Sequence, residues 1–102
     1  MRFNNEKALN QFLSKGLVAT LREYPYKTGD NIIINHKYRA KIKNSILKPT
    51  YATIRHHVWI SGFNSVQEWI TIAMTLHKKM PRYLVVVERR PNAKDKRMPK
   101  MP

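Results

Sequence analysis

Two stretches of this chain repeat their apolar residues at the spacing of a helix face. The stretches between them alternate, or run continuously apolar, as strands do. Ala8, Leu9, Phe12 and Leu13 share one face of a helix predicted over residues 5–15, with Asn4 or Asn5 placed to cap its start and Gly16 where a C-terminal glycine belongs. "LVATLRE" (17–23) follows as a strand, and "YPYKTGD" (24–30) as a loop with a proline and a Gly-Asp turn. "NIIINH" (31–36) and "YRAKIKNSI" (38–46) form a hairpin around Asn35-His36-Lys37, and Pro49 breaks the chain. "YATIRHHVWI" (51–60) alternates as a fourth strand, ended by Ser61-Gly62. Ser65-x-x-Glu68 is a capping box for a second helix, 65–79, whose apolar stripe includes Val66, Trp69, Ile70, Ala73 and Leu76. After Pro81, "RYLVVVERR" (82–90) is apolar enough to be a central fifth strand covered on both faces.

This pattern predicts one α+β domain over residues 1–90. It has about five mostly antiparallel strands in a curved or barrel-like sheet, with two helices. Residues 91–102 carry charge, prolines and few large apolar side chains besides Met, and are expected to be a mobile basic tail. The two helix regions also echo each other. Phe3-Asn4-Asn5, helix, Leu17-Val18, strand, Pro25 is matched by Phe63-Asn64-Ser65, helix, Leu84-Val85, strand, Pro91. A repeat of this kind predicts similar halves (about 1–46 and 47–90) related by a pseudo-twofold axis, with a ligand groove at the seam between them. Exposed strand edges at that seam could accept an extended peptide by strand addition.

Charge sharpens the picture. The chain carries 20 Lys and Arg against 6 Asp and Glu, a net +14. The tail contributes only part of this, so the folded region is basic on its own and favours polyanions or acidic protein surfaces. On the strand from residue 38, Tyr38, Ala40 and Ile42 take one face, while Lys37, Arg39, Lys41 and Lys43 form a basic stripe on the other. The stripe suits phosphates, or else keeps an edge strand from pairing. In 51–60, Ala52, Ile54, Val58 and Ile60 point to the core with His56 among them. Tyr51, Arg55, His57 and Trp59 present an aromatic and cationic face suited to gripping a partner.

Other chemistries find little support. His56 and His57 are adjacent on a predicted strand and diverge, and no acid has ligand spacing to any histidine, so no metal or cofactor is expected. There is no cysteine, no nucleophilic serine motif and no evident carboxylate pair, so no catalytic residue is expected. Gly29 alone does not make a phosphate loop. No apolar run approaches the roughly 18 residues of a membrane span, and Arg2 has no apolar leader segment behind it.

The order of "VATLREYPYKTGDNIIINHKYRAKI" (18–42), "SGFNSVQEW" (61–69) and "PRYLVVVER" (81–89) resembles the ASCH family. That resemblance implies a small PUA-like β-barrel and a link to RNA. The family motif is Gly-x-Lys followed after four residues by Arg. Arg22 matches it, but Leu17 stands in the Lys place and Lys15 in the Gly place. The residue a family hydrolase would use is therefore absent, and the resemblance implies RNA binding through Arg22 and the basic stripe. In overall sequence and length the chain also resembles small proteins of archaeal filamentous viruses. This implies a viral protein that works by binding in the host cytoplasm. Together these expectations give a non-catalytic module with a viral or host protein partner, and RNA or DNA as the alternative.

Overall fold

The computed structural model describes residues 1–90, so the expected tail lies outside the described residues. The elements run α1 (Glu6–Lys15), β1 (Leu17–Arg22), β2 (Asn31–Ile34), β3 (Tyr38–Leu47), α2 (Tyr51–His57), a 3-10 turn (Val58–Ile60), α3 (Val66–His77) and β4 (Tyr83–Arg89). The strands form one antiparallel sheet in the order β1-β4-β3-β2. Among the described residues both β1 and β2 are edges, so the sheet they form is open and not a closed barrel.

Local chemistry accounts for most element boundaries. The Asn5 side chain accepts hydrogen bonds from the Lys7 and Ala8 amides, and Gly16 ends α1 in the left-handed region at φ 73°. Asn35 and His36 both have positive φ, and the Lys37 amide closes the turn onto Ile34 O, which is the two-residue hairpin geometry that matches strand twist. Ser65 caps α3 by accepting from the Glu68 amide, and Glu68 reaches back to accept from the Asn64 amide.

The sheet separates two cores. On one face α1 packs Ala8 and Phe12 against Val18, Ile42, Val85 and Val87. On the other, Ile54, Ile60 and the α3 residues Val66, Trp69 and Ala73 cover Ala19, Leu21, Leu84 and Val86. Leu84 to Val87 are all buried, as a central strand with helices on both faces requires. Each fully buried aliphatic side chain contributes about 1.5–3 kcal/mol, and β4 is the shared wall of both cores.

The fold corrects three expectations. Residues 51–60 are not a strand but α2 and the 3-10 turn, giving four strands and a third helix among the described residues. A four-residue spacing such as Ile54 to Val58 fits a strand or a helix equally. Thr50 decides it, because its hydroxyl caps the helix by accepting from the Thr53 amide. The anticipated core face dissolves with the strand: Ile54 and Ile60 are buried, but Ala52 and His56 are exposed. Second, β3 carries a bulge between Ile42 and Asn44 with Lys43 as the extra residue. The alternation shifts there, so Ile42 faces α1 while Ile46 packs with the α3 core. Third, the two helix–strand units are not related by a twofold. The local twofold of an antiparallel pair is normal to the sheet and would leave both helices on one face, whereas α1 and α3 lie on opposite faces.

Candidate functional site

The outer edge of β1 is where the two helix layers meet. The Arg89 amide donates to Gly16 O, so in the β1–β4 register Val18, Thr20 and Arg22 direct their backbone groups toward β4. Leu17, Ala19 and Leu21 direct theirs outward. The Gln11 side chain donates to Leu17 O at 3.0 Å and covers the start of this edge. Next to it, Gly62 abuts the Lys7 carbonyl and the Gln11 side chain, and Lys7 Nζ pairs with Glu68 at 2.6 Å. These contacts tie α1 to α3 around one end of β1. At the other end the layers part into a cleft of about 210 Å³. Among the described residues, no backbone partner occupies the outward groups of Ala19 or Leu21, but the packed layers leave the two residues only 1% and 3% exposed, and of the two only Leu21 lines the cleft.

The cleft floor is Thr20, Leu21 and Arg22. Strand alternation places Thr20 and Arg22 on the α1 face and Leu21 on the α3 face. One wall is the segment before α1, including Arg2 and Phe3, and the other is α3 with Trp69, Ala73 and Leu76. The leading segment is held across the sheet end by Asn35, whose Oδ1 accepts from the Phe3 amide at 2.7 Å and whose Nδ2 donates to Phe3 O at 3.2 Å. Phe3 is thereby fixed under Arg22, whose guanidinium carbon lies 4.8 Å from the ring centroid. Arg22 Nε donates to Thr20 Oγ1 at 3.0 Å. The ion pairs among the described residues join Lys7 to Glu68 and Glu23 to Lys79 and Arg82, and none includes Arg22. Burial holds its guanidinium below the usual arginine range, although the Tyr26 phenol opposes this. His77 also lines the cleft, and among the described residues no carboxylate does.

The anticipated site residues do not assemble as the sequence suggested. Tyr51, Arg55, His57 and Trp59 lie on α2 and the 3-10 turn and not on a strand face. Tyr51 and Trp59 are 62% and 72% exposed, and none of the four lines the cleft. His57 Nδ1 sits 2.7 Å from Thr53 O, and Trp59 Nε1 donates to His56 O at 2.8 Å, so both rings are tied to their own helix. Arg39 and Lys41 do share a sheet face, the one opposite α1, beyond the cover of α3. Lys37 is in the hairpin turn with its ammonium 5.1 Å from the Tyr38 ring, and Lys43 is the bulge residue. Arg22 is apart from this stripe, on another strand and the other face. The groove was expected at the seam of two halves, about 1–46 and 47–90, related by a twofold that the fold lacks. The cleft is lined by Arg2, Phe3 and His77, which the sequence did not suggest as site residues, and by Trp69, which is 2% exposed and packs as the apolar stripe of its helix suggested.

No family model, curated protein or solved structure matches the chain. Among the described residues no helix is long and apolar enough to cross a membrane, and no group of three or more His, Cys, Asp or Glu could hold a metal ion.

Proposed function

We propose that the protein is a non-catalytic binding module that takes a segment of a protein partner, viral or host, in the cleft between the segment before α1 and α3. The observation that carries this reading is the lining of that cleft, which sets the exposed Leu76 of α3 beside the basic residues Arg2, Arg22 and His77. An apolar wall next to a few polar groups is the usual make-up of a binding pocket. The cleft holds about 210 Å³, so only a few partner residues are engaged, which fits a transient interaction. Selection from a random nonapeptide library on immobilised protein tests it. Enrichment of a consensus whose binding is lost in Leu76→Asp supports docking in the cleft. Failure to enrich any sequence contradicts it.

A second reading has its own observation. On the sheet face opposite α1, Arg39 and Lys41 stand near half-exposed Ile33, with Arg90 held to Asn31 Oδ1 at 3.3 Å. This uncovered basic area favours nucleic-acid backbone, in line with the RNA link implied by the ASCH resemblance. Single-stranded RNA titrated at two salt concentrations should then show a steep salt slope that falls by about one per cation removed at Arg39 or Lys41. Absence of binding at low salt rules it out.

A further inference from the structure

Trp59 is an exposed ring held in one orientation. Its indole N–H donates to His56 O at 2.8 Å, yet the residue is 72% exposed. With the N–H engaged, what remains for a partner is the apolar ring, and little freedom is lost when it is used. The chain passes from α2 into the 3-10 turn without leaving the right-handed helical region, at Val58. Tyr51, Arg55 and Trp59 therefore follow one another at four-residue spacing, about 6 Å apart along the axis. All three are exposed, while Ile54 and Ile60 supply the buried side. The result is a solvent-facing stripe of aromatic, cation, aromatic.

The basic sheet area lies on the same side of the molecule. Ile54 and Ile60 pack over Leu84 and Val86, and alternation puts Glu88 and its register partner Lys41 on that same face of the sheet. The Arg90 amide donates to Arg39 O, which carries the β3–β4 register one pair further and sets the two arginines side by side. Like charges so placed repel. Among the described residues no ion pair includes Arg39, Lys41, Arg55 or Arg90, nor Glu88, the acid beside them. The 3-10 turn packs against β1, where Val58 and Leu17 share a cluster, and Leu17 is in register with Glu88. The aromatic stripe thus ends beside the cations rather than across the molecule from them.

Phosphates would relieve the crowded cations, and a base would cover the exposed ring. A duplex keeps its base faces stacked inside, so the pairing of these two features favours an unpaired strand. We infer that this side of the molecule binds single-stranded nucleic acid, with the backbone on Arg39, Lys41 and Arg90 and a base stacked on Trp59. This rests on the nucleic-acid reading of the sheet face, and adds to it a role for Trp59 and a choice of strand.

The test titrates the full chain at low salt with labelled dT10 and with an abasic decamer of the same backbone. Fluorescence anisotropy should show dT10 tighter by roughly ten- to hundredfold, the range for one stacked base. Trp59→Ala should bind dT10 no better than the abasic strand, with its salt dependence unchanged. Arg39→Gln should weaken both strands and lower the salt slope of each by about one. Unlabelled dT10 should quench the tryptophan emission of the unsubstituted protein but not that of Trp59→Phe, which keeps only the buried Trp69. Circular dichroism establishes that the variants are folded. A parallel titration with rU10 shows whether RNA or DNA is preferred, and the base-dependent gain is expected with either. Equal binding of dT10 and the abasic strand would overturn the stacking role while the phosphate reading stands. A preference for dT10 that survives in Trp59→Ala would overturn the assignment to Trp59. Quenching by a ten-base-pair duplex as strong as by dT10 would overturn the choice of single strand. If neither strand binds, the nucleic-acid reading fails with it. If decaglutamate binds as tightly as dT10 and quenches Trp59 equally, the face takes acidic protein segments and the nucleic-acid assignment is wrong.

Discussion

Gly62→Ala is the sharpest test of how the two helix layers are joined. Gly62 has φ +89°, and a Cβ placed there would overlap the Lys7 carbonyl and come within 3.1 Å of Gln11 Cβ. Two costs add. A left-handed backbone costs an L-residue about 1–2 kcal/mol. Forcing a methyl group against the main chain of α1, which cannot swing aside as a flexible side chain can, costs about 1–3 kcal/mol more. The total of about 2–5 kcal/mol corresponds to a fall in Tm on the order of 10–30 °C for a domain of this size. Gly29 supplies the control. It has φ +94° but nothing within 4 Å of the added atom, so Gly29→Ala should lose only about 1–2 kcal/mol. Urea unfolding of both variants, with m unchanged, measures the difference. Equal destabilisation at the two glycines would refute the close approach of Gly62 to α1, and with it the tie that sets the width of the cleft.

Three further outcomes follow from the same contacts. Arg22→Met should change stability by less than about 2 kcal/mol in urea unfolding, because relief of a partly buried cation offsets the loss of its contact with the Phe3 ring and of its hydrogen bond to Thr20, each worth about 0.5–2 kcal/mol. A loss above about 2 kcal/mol would mean that Arg22 has a structural role. Glu68 is held below its ordinary 4.5 by the Lys7 hydrogen bond and then by the Asn64 amide. A lowered carboxylate stabilises the fold above the unfolded value, and that contribution is lost as pH falls below 4.5 through the lowered native value. Glu68→Gln cannot titrate, so its melting temperature should drop less between pH 7 and pH 3 than that of the unsubstituted protein. Trp59 is 72% exposed and Trp69 is 2% exposed. Trp59→Phe should therefore leave stability within about 0.5 kcal/mol and shift the emission to the blue, and the remaining signal should change when a peptide fills the cleft.

Much of this fold was legible where local chemistry decides the outcome. Asn5 and Gly16 bound α1, Asn35-His36 turns the hairpin, Ser65 and Glu68 start α3, and the unbroken run Leu84–Val87 marks a strand between two layers. The errors arose where two periods coincide or where long-range contacts choose. Ile54 and Val58 fit either a strand or a helix, and the Pro49-Thr50 start signal was available but outweighed by the β-branched and aromatic composition. The bulge at Lys43 was hidden because Ile46 is apolar on either face. The site was half legible. Gly62 was evident as a turn, but its contact with Lys7 depends on how α1 packs. Arg22 stood out only through the resemblance to ASCH proteins. That it lies over Phe3 without an acid emerges only when Asn35, from the opposite edge of the sheet, holds the leading segment in place.

Amide hydrogen exchange tests the central claim most directly. Saturation with a library-selected peptide should slow exchange around the cleft, at residues 2–5 and 72–77, and leave β2 and the Arg39–Lys41 part of β3 unchanged. Protection confined to β2 and β3 would contradict the account and place the partner on the basic sheet face.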